Sequence, residues 1–302
     1  MIDYRIETFL AVCRTLNYTR AAEELALTQP AVSQHISALE RAYGVKLFAY
    51  HNKKLALTPA GEALRTCAEG MRHEAALLRR DLDAMREGRE SLSVGATLTA
   101  GEYLLAAPLA AWLKEHPSVD ARIVSDDTAN LLVRIDDGSL DFALIEGFFD
   151  KSAYDWAVLC EQRLVGVCAP SHRLAGRRAV GWEDLLHEHI VVREVGSGTR
   201  ALFERAMEQR NLSISGFSRI TEAESLNVIK GLVESGLGIS FFYEAAVEDE
   251  LENGRLVRIP FSGGDIVHDI TFVCQRGGVL RARFHAVFEE LSELYREGCG
   301  GA

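Results

Sequence analysis

The chain has 302 residues, 48% of them hydrophobic, and carries a formal net charge of −11 at pH 7. That length favours two domains with full-sized cores. No run of about eighteen apolar residues is present to span a bilayer, and the N-terminal MIDYRIETFL lacks the basic-then-apolar order of a signal peptide, so a soluble, cytoplasmic protein without a membrane partner is expected.

The negative charge is unevenly divided. Residues 1–58 hold seven Lys/Arg against five Asp/Glu, a balance of +2, which leaves −13 for the remainder. A basic head on an acidic body suits a protein that touches a polyanion with one module only. The six cysteines, at 13, 67, 160, 168, 274 and 299, form no C-x-x-C pair and have no paired His motif beside them. They read as small buried hydrophobes, with Cys160 and Cys168 as the candidate redox pair, and neither a metal nor an organic cofactor is called for.

From the N-terminus, Ile2 to Leu16 reads as a helix with Ile6, Phe9, Leu10 and Cys13 inward. A shorter helix follows, capped by Thr19, with Ala21, Ala22 and Leu25 packing and Ala26-Leu27 making a corner. Thr28 caps the next helix, where Pro30 falls in the first turn and loses no hydrogen bond. Val32, Ile36 and Leu39 share its buried side, whereas Gln29, Ser33 and Ser37, with Pro30 and Gln34 beside them, share a short, nearly uncharged polar face. Gln can bond an adenine edge and Ser a base or a phosphate, so this face suits a DNA major groove, although a helical hairpin in an ordinary core has the same periodicity. Gly44 ends the helix as a left-handed residue. The segment Val45 to Leu57 has two apolar arms around His51-Asn52-Lys53 and reads as a β-hairpin wing whose Lys53 and Lys54 hold phosphates.

Thr58-Pro59 starts a long helix without internal proline. Leu64, Cys67, Met71, Ala75, Leu78, Leu82 and Met85 recur every 3.5 residues on average, the period of a coiled-coil seam. About 28 residues give a rod of roughly 40 Å. Gly88 and Arg89-Glu90-Ser91 are read as the hinge.

Beyond Leu92 the pattern becomes βαβαβ: SLSVGA, Tyr103–Glu115, DARIVSD, Asn130–Asp137 and DFALIEG. VLCEQRLVGVCAP reads as two strands crossing to a second lobe, built from WEDLL, HIVVRE, Thr199–Gln209, FSRITE, Leu226–Glu234 and GISFFY. Ile266–Cys274 returns as a strand, and Leu280–Arg296 closes the chain. Ligands in such folds sit where strand ends and helix N-termini face a cleft. Two loops fit: Gly95 to Gly101, with Thr97, Leu98 and Thr99, and Arg193 to Arg200, with Ser197, Gly198 and Thr199 between the two arginines. Thr128 joins this candidate effector-binding set. Simple helix capping explains either loop equally well. Asp126, Asp127 and Glu146 end strands near the expected cleft, His187 and His189 read as solvated, and no nucleophile elbow, P-loop or dinucleotide fingerprint is found.

The segment Phe9 to Leu64 resembles the N-terminal domain of LysR-type transcriptional regulators through F-x-A-V, AA-x-x-L, TQPAVSQHI-x-x-LE, G-V-x-LF and LT-x-AG. Tyr50 stands where that family usually has an Arg, leaving His51, Lys53 and Lys54 as candidate substitutes for its phosphate contact. VVREVGSGTR is similar to the effector loop of the sulfur-assimilation and carbon-fixation regulators, with Val195 in place of a frequent Pro, and Thr97 and Thr99 match the effector-turn threonines of the sulfur-related group. The resemblance implies a winged helix-turn-helix domain, helical apart from its wing, over 1–58, a linker and dimerisation helix with hinge over 59–90, and an effector domain over 91–302. That last part would be a two-lobed α/β fold of the type-2 periplasmic-binding-protein kind, lobe I about 91–160 and 268–302, lobe II about 161–267. It further implies a non-enzymatic regulator, a homodimer or homotetramer, that binds an interrupted inverted repeat in double-stranded DNA under control of a small anion or organic acid. Thr19, Arg20, Thr28, Gln29, Pro30, Ser33, Gln34, Lys53 and Lys54 would touch DNA, and RNA polymerase is a further candidate partner. The alternative from another class is a cytosolic small-molecule-binding or enzymatic α/β protein without DNA binding.

Overall fold

Asp3 opens the first helix, α1 (Tyr4–Thr15), by accepting a hydrogen bond from the Arg5 N–H, and Leu16 closes it in a left-handed turn. These assignments come from a computed structural model that describes residues 3–51 and 54–299. The second helix, α2 (Tyr18–Glu24), is capped by Asn17, whose side chain accepts from the N–H groups of Thr19 and Arg20. This corrects the expectation that Thr19 is the cap: in Asn-Tyr-Thr both outer residues are capping types, and the earlier one gains two backbone donors. Ala26, at φ 52°, makes the corner. Thr28 caps α3 (Gln29–Tyr43) and Gly44, at φ 69°, ends it.

The wing is an antiparallel hairpin of β1 (Phe48–His51) and β2 (Lys54–Leu57). The inner sides of α1, α2, α3 and the wing meet in one core around Phe9, Leu10, Val32, Ile36, Leu47 and Phe48. Thr58 then caps α4 (Pro59–Arg86), accepting from the Gly61 N–H. Gly61 is required there, because a Cβ would lie 2.1 Å from the Leu47 carbonyl oxygen. On α4 the seam residues Met71, Leu78, Leu82 and Met85 are exposed, while Ala68 and Leu77 on another side are buried.

The chain divides into two compact units, one built on residues up to 88 together with 134–139, the other on 89–133 and residues from 140 onward. In the second unit, Glu90 and Ser91 already belong to β3 (Glu90–Ala96) rather than to a hinge, because they pair in parallel with Val119 and Asp120 of β4 (Val119–Ser125). Between these strands the helical segment begins earlier than expected, with a π-helical turn (Ala100–Leu105) leading into α5 (Ala106–Glu115). Helix α6 (Thr128–Asp136) precedes β5 (Phe142–Ile145), which pairs in parallel with β3.

The expected pair of crossing strands is a single strand, β6 (Tyr154–Cys168). Its polar middle, Glu161-Gln162-Arg163, suggests a break but is held in register by pairing with the returning strand. Then come α7 (Trp182–Leu186), β7 (His189–Val192), α8 (Gly198–Glu208), β8 (Arg219–Glu222), α9 (Leu226–Glu234), β9 (Ile239–Tyr243), α10 (Glu248–Glu252) and β10 (Val257–Arg258). Strand β11 (Ile266–Gln275) runs back antiparallel along β6, and α11 (Arg281–Cys299) closes the fold. The sheet order is β4-β3-β5-β11-β6-β9-β7-β8, with β10 also on β6, so two parallel-stranded lobes share one sheet through the β6–β11 ribbon.

Cys160 and Cys168 lie eight positions apart on β6, about 26 Å along an extended strand, which excludes the disulfide considered from sequence. Burial pushes the thiols of Cys13 and Cys274 up to about 12 and that of Cys168 up to about 11, so none of these is a ready nucleophile at neutral pH.

Candidate functional site

The first candidate surface is the polar side of α3. Thr28, Gln29, Pro30, Gln34 and Ser37 are exposed and Ser33 half-buried, with the Gln29 amide donating to Ser33 Oγ at 3.0 Å. A hollow at its N-terminal end is lined by Asn17, Tyr18, Thr19, Gln29, Tyr50 and Lys54. The starts of α2 and α3 and the wing therefore present amide, hydroxyl and ammonium groups to one concavity. Arg20 is exposed on α2. Lys53 lies outside the described residues.

The second candidate is a cavity of about 360 Å³ in the other unit. Its wall comes from residues that immediately follow the C-terminal ends of parallel strands: Thr97 and Leu98 after β3, Asp126 and Asp127 after β4, Glu146 after β5, Arg193 and Glu194 after β7, and Glu224 beyond β8. That is where an open α/β sheet exposes backbone donors and where helix N-termini converge. Ser197, the residue before α8, also lines it, and its hydroxyl makes no capping bond.

Glu146 is the hub. It is 2% exposed, and three segments bond to it: its N–H donates to Thr97 Oγ1 at 3.4 Å, its carbonyl accepts from the Thr128 hydroxyl, and Oε1 accepts from the Thr199 hydroxyl at 3.2 Å. Burial pushes its carboxyl up to about 7, against the lowering pull of Arg193 and of the Thr199 and Thr99 hydroxyls. Gly198 allows this approach, since a Cβ there would sit 2.7 Å from Glu146 Cγ. Arg193, 8% exposed, forks through Nε and Nη2 onto the Glu194 carboxylate, both at 2.7 Å. Four buried polar atoms of this neighbourhood have no hydrogen-bond partner among the described residues: Glu146 Oε2, Arg193 Nη1, Ser197 Oγ and the hydroxyl of Tyr243, which is close enough to feel the Glu146 charge.

Comparison with known proteins decides the family. Residues 4–62 match the model of the lysR-family bacterial regulatory helix-turn-helix, and residues 86–296 match that of the LysR substrate binding domain. The chain belongs to the LysR family. This LysR-family chain is 32% identical to the RuBisCO operon transcriptional regulator of Allochromatium vinosum over 98% of its own length and 97% of that protein's. It is 28% identical to the transcriptional regulator CysL of Bacillus subtilis, covering 82% of each. Among solved structures, a hydrogen-peroxide-bound mutant of Corynebacterium glutamicum OxyR superposes with a TM-score of 0.62 at 25% identity, covering 97% of this chain and 92% of that one. The LysR-family chain is accordingly a DNA-binding transcription regulator with a substrate-binding domain, not an enzyme.

Within the regulator, the cleft assembles the sequence candidates differently from expectation. Thr97, Leu98, Arg193, Ser197 and Gly198 line the cavity. Thr99, Thr128 and Thr199 are buried behind the wall and serve Glu146. Arg200 turns away: its guanidinium bonds Glu204, Glu222 and the Arg193 carbonyl, so it braces the loop rather than charging the cavity. The sequence singled out Glu146 only as one strand-ending acid among three and passed over Glu194, Glu224 and Tyr243. Its sequence signal was an apolar strand, FALI, running straight into a carboxylate. His189 is tied to the Thr221 hydroxyl at 2.8 Å. Among the described residues no helix is long and apolar enough to cross a membrane, and no His/Cys/Asp/Glu cluster could hold a metal ion.

Proposed function

We propose that this regulator reads DNA with Gln29, Ser33 and Gln34, anchors phosphates through Arg20, Lys54 and the start of α3 around Thr28 and Pro30, and takes its effector in the cavity around Glu146. Thr19 flanks the hollow where base and backbone contacts meet. The exposed seam on α4 pairs with the same seam of a second copy, as a helix with one apolar stripe requires. Two heads then face the half-sites of an interrupted inverted repeat, in a dimer or a tetramer working in the cytoplasm, with RNA polymerase as the further partner. An effector that favours one lobe arrangement shifts the population and with it the spacing of the heads.

The observation that carries the cleft reading is the set of unpartnered buried atoms on Glu146, Arg193 and Ser197, residues that two segments, the end of β5 and the loop before α8, contribute to one cavity. Buried polar groups are normally paired, and a ligand supplies the missing bonds. A thermal-shift screen of small acids, amino acids and inorganic anions tests it. Ligand at a hundredfold its Kd adds about 2.7 kcal/mol of apparent stability, and Ser197→Ala should remove that gain. A hit that survives Ser197→Ala places the effector elsewhere.

A further inference from the structure

The charge of the cavity narrows what fills it. Its wall holds five carboxylates, Asp126, Asp127, Glu146, Glu194 and Glu224, against one guanidinium, Arg193. Arg193 already spends Nε and Nη2 on Glu194, leaving Nη1 as its unpartnered donor. Asp127 accepts from the Asn130 side chain, a neutral amide, at 2.9 Å. A doubly charged inorganic anion entering this wall meets far more repulsion than attraction, because charges in a partly desolvated site are poorly screened.

The unpartnered atoms show the complementary pattern. On one side are Arg193 Nη1, from the end of β7, and Ser197 Oγ, at the start of α8, where backbone N–H groups add positive field. Opposite in chemistry is Glu146 Oε2, an acceptor held by a carboxylate whose other oxygen is already engaged by Thr199. One small molecule satisfies both if it carries an oxyanion and a cation.

Resting on the reading that the cavity is the effector site, we propose that its ligand is a small zwitterion, an aminocarboxylate whose carboxylate sits on Arg193 Nη1 and Ser197 Oγ and whose protonated amine sits on Glu146 Oε2. The acidic rim of Asp126, Asp127 and Glu224 then attracts the ligand's positive end. The cavity volume, about 360 Å³, suits a molecule of amino-acid size.

The test is a thermal-shift and titration-calorimetry panel on the full chain: the standard amino acids, ornithine and γ-aminobutyrate, each beside its deaminated acid, with sulfate and phosphate. At least one aminocarboxylate should raise the melting temperature where its deaminated partner does not, and Glu146→Gln should weaken it by about tenfold or more. Calorimetry near pH 6.5 in buffers of different ionisation enthalpy adds a readout that needs no variant. An ammonium docking on Glu146 expels the proton this carboxyl holds, whereas a plain anion draws one in. If Glu146→Gln does not fold, the sign of that proton count decides.

A plain acid or inorganic anion that binds as well as the amino compound, with proton uptake, overturns the zwitterion. If that hit is lost in Ser197→Ala, the cleft reading stands without it. A hit indifferent to both Ser197→Ala and Glu146→Gln overturns both readings, and a panel with no hit at millimolar concentration overturns the zwitterion.

Discussion

The Thr199 hydroxyl donates to Glu146 Oε1 at 3.2 Å, joining the first turn of α8 to the end of β5 across 53 residues of sequence. The bond links the two lobes at the wall of the cavity, and Gly198, next to Thr199, is the residue that lets the segments close on each other. Whatever occupies the cavity therefore acts at a seam between lobes.

Glu146 makes the empty protein pH-sensitive. Its carboxyl moves from 4.5 to about 7 in the fold, with Arg193 and Glu194 as the charged groups facing it and the Tyr243 hydroxyl nearby. The folded state therefore binds more protons than the unfolded one between these values, so stability is full below 4.5, falls as pH rises to about 7, and levels off above. The loss reaches about 3 kcal/mol at most. Glu146→Gln should flatten that decline and raise ligand-free stability at pH 8, as read by urea unfolding at pH 5 and pH 8. An identical pH dependence in both proteins would contradict the raised value.

Thr199→Val removes a hydroxyl that favours the ionised carboxylate. The variant should lose about 1–3 kcal/mol at pH 8 and less at pH 5, where the carboxyl is protonated. Equal loss at both pH values, measured by the same unfolding curves, would mean that only packing was disturbed.

Gly198→Ala forces a methyl to within 2.7 Å of Glu146 Cγ and 2.9 Å of its carbonyl oxygen. Overpacking of this kind typically costs about 1–3 kcal/mol. The stabilisation by ligand should vanish, while DNA affinity without ligand should persist, as fluorescence anisotropy would report. Wild-type ligand response in Gly198→Ala would show that the loops separate readily.

The head makes two distinguishable predictions. Gln29→Ala should weaken binding to the cognate site by about 1–3 kcal/mol and leave non-specific binding almost unchanged. Lys54→Ala should weaken both alike and reduce the salt slope by about 1. Anisotropy titrations on cognate and scrambled duplexes over a salt series separate these outcomes, and equal loss on both duplexes for Gln29→Ala would remove it from base reading.

Leu78 and Leu82 are 58% and 52% exposed in the single chain. Leu78→Glu with Leu82→Glu should yield a smaller species in sedimentation velocity with little change in helix content. A double variant that sediments like the wild type would move the pairing surface away from this stripe.

Local chemistry was legible where a single segment settles its own structure. The α3 helix was readable because Thr28, Pro30 and Gly44 mark its ends and Val32, Ile36 and Leu39 its inner side. Thr58-Pro59 marked α4 equally well. Strand β6 was not, because the polar Glu161-Gln162-Arg163 looks like a turn until β11 supplies its hydrogen bonds. The loops around Thr97 and Ser197 stand out in the sequence and both line the cavity, yet the division of labour among their side chains depends on Glu146, some 49 and 53 residues from the threonines that bond it. No periodicity encodes that convergence. Arg200 and Arg193 looked interchangeable in a single loop, and only the positions of Glu204, Glu222 and Glu194 decide which one faces the cavity.

Strand β6 runs unbroken from Tyr154 to Cys168, with β11 beside it and Leu159 left unopposed where Ile270 pairs with Cys160 and Thr271 with Val158. A bulge of this kind increases local twist without cutting the strand. The lobes are thus joined by a continuous two-stranded ribbon with one bulge instead of by a loose loop. A ligand drawing Glu146 and Arg193 together would wind or unwind that ribbon, and the angular change would reach the far ends of both lobes as rotation, with no need for either lobe to reshape its own core.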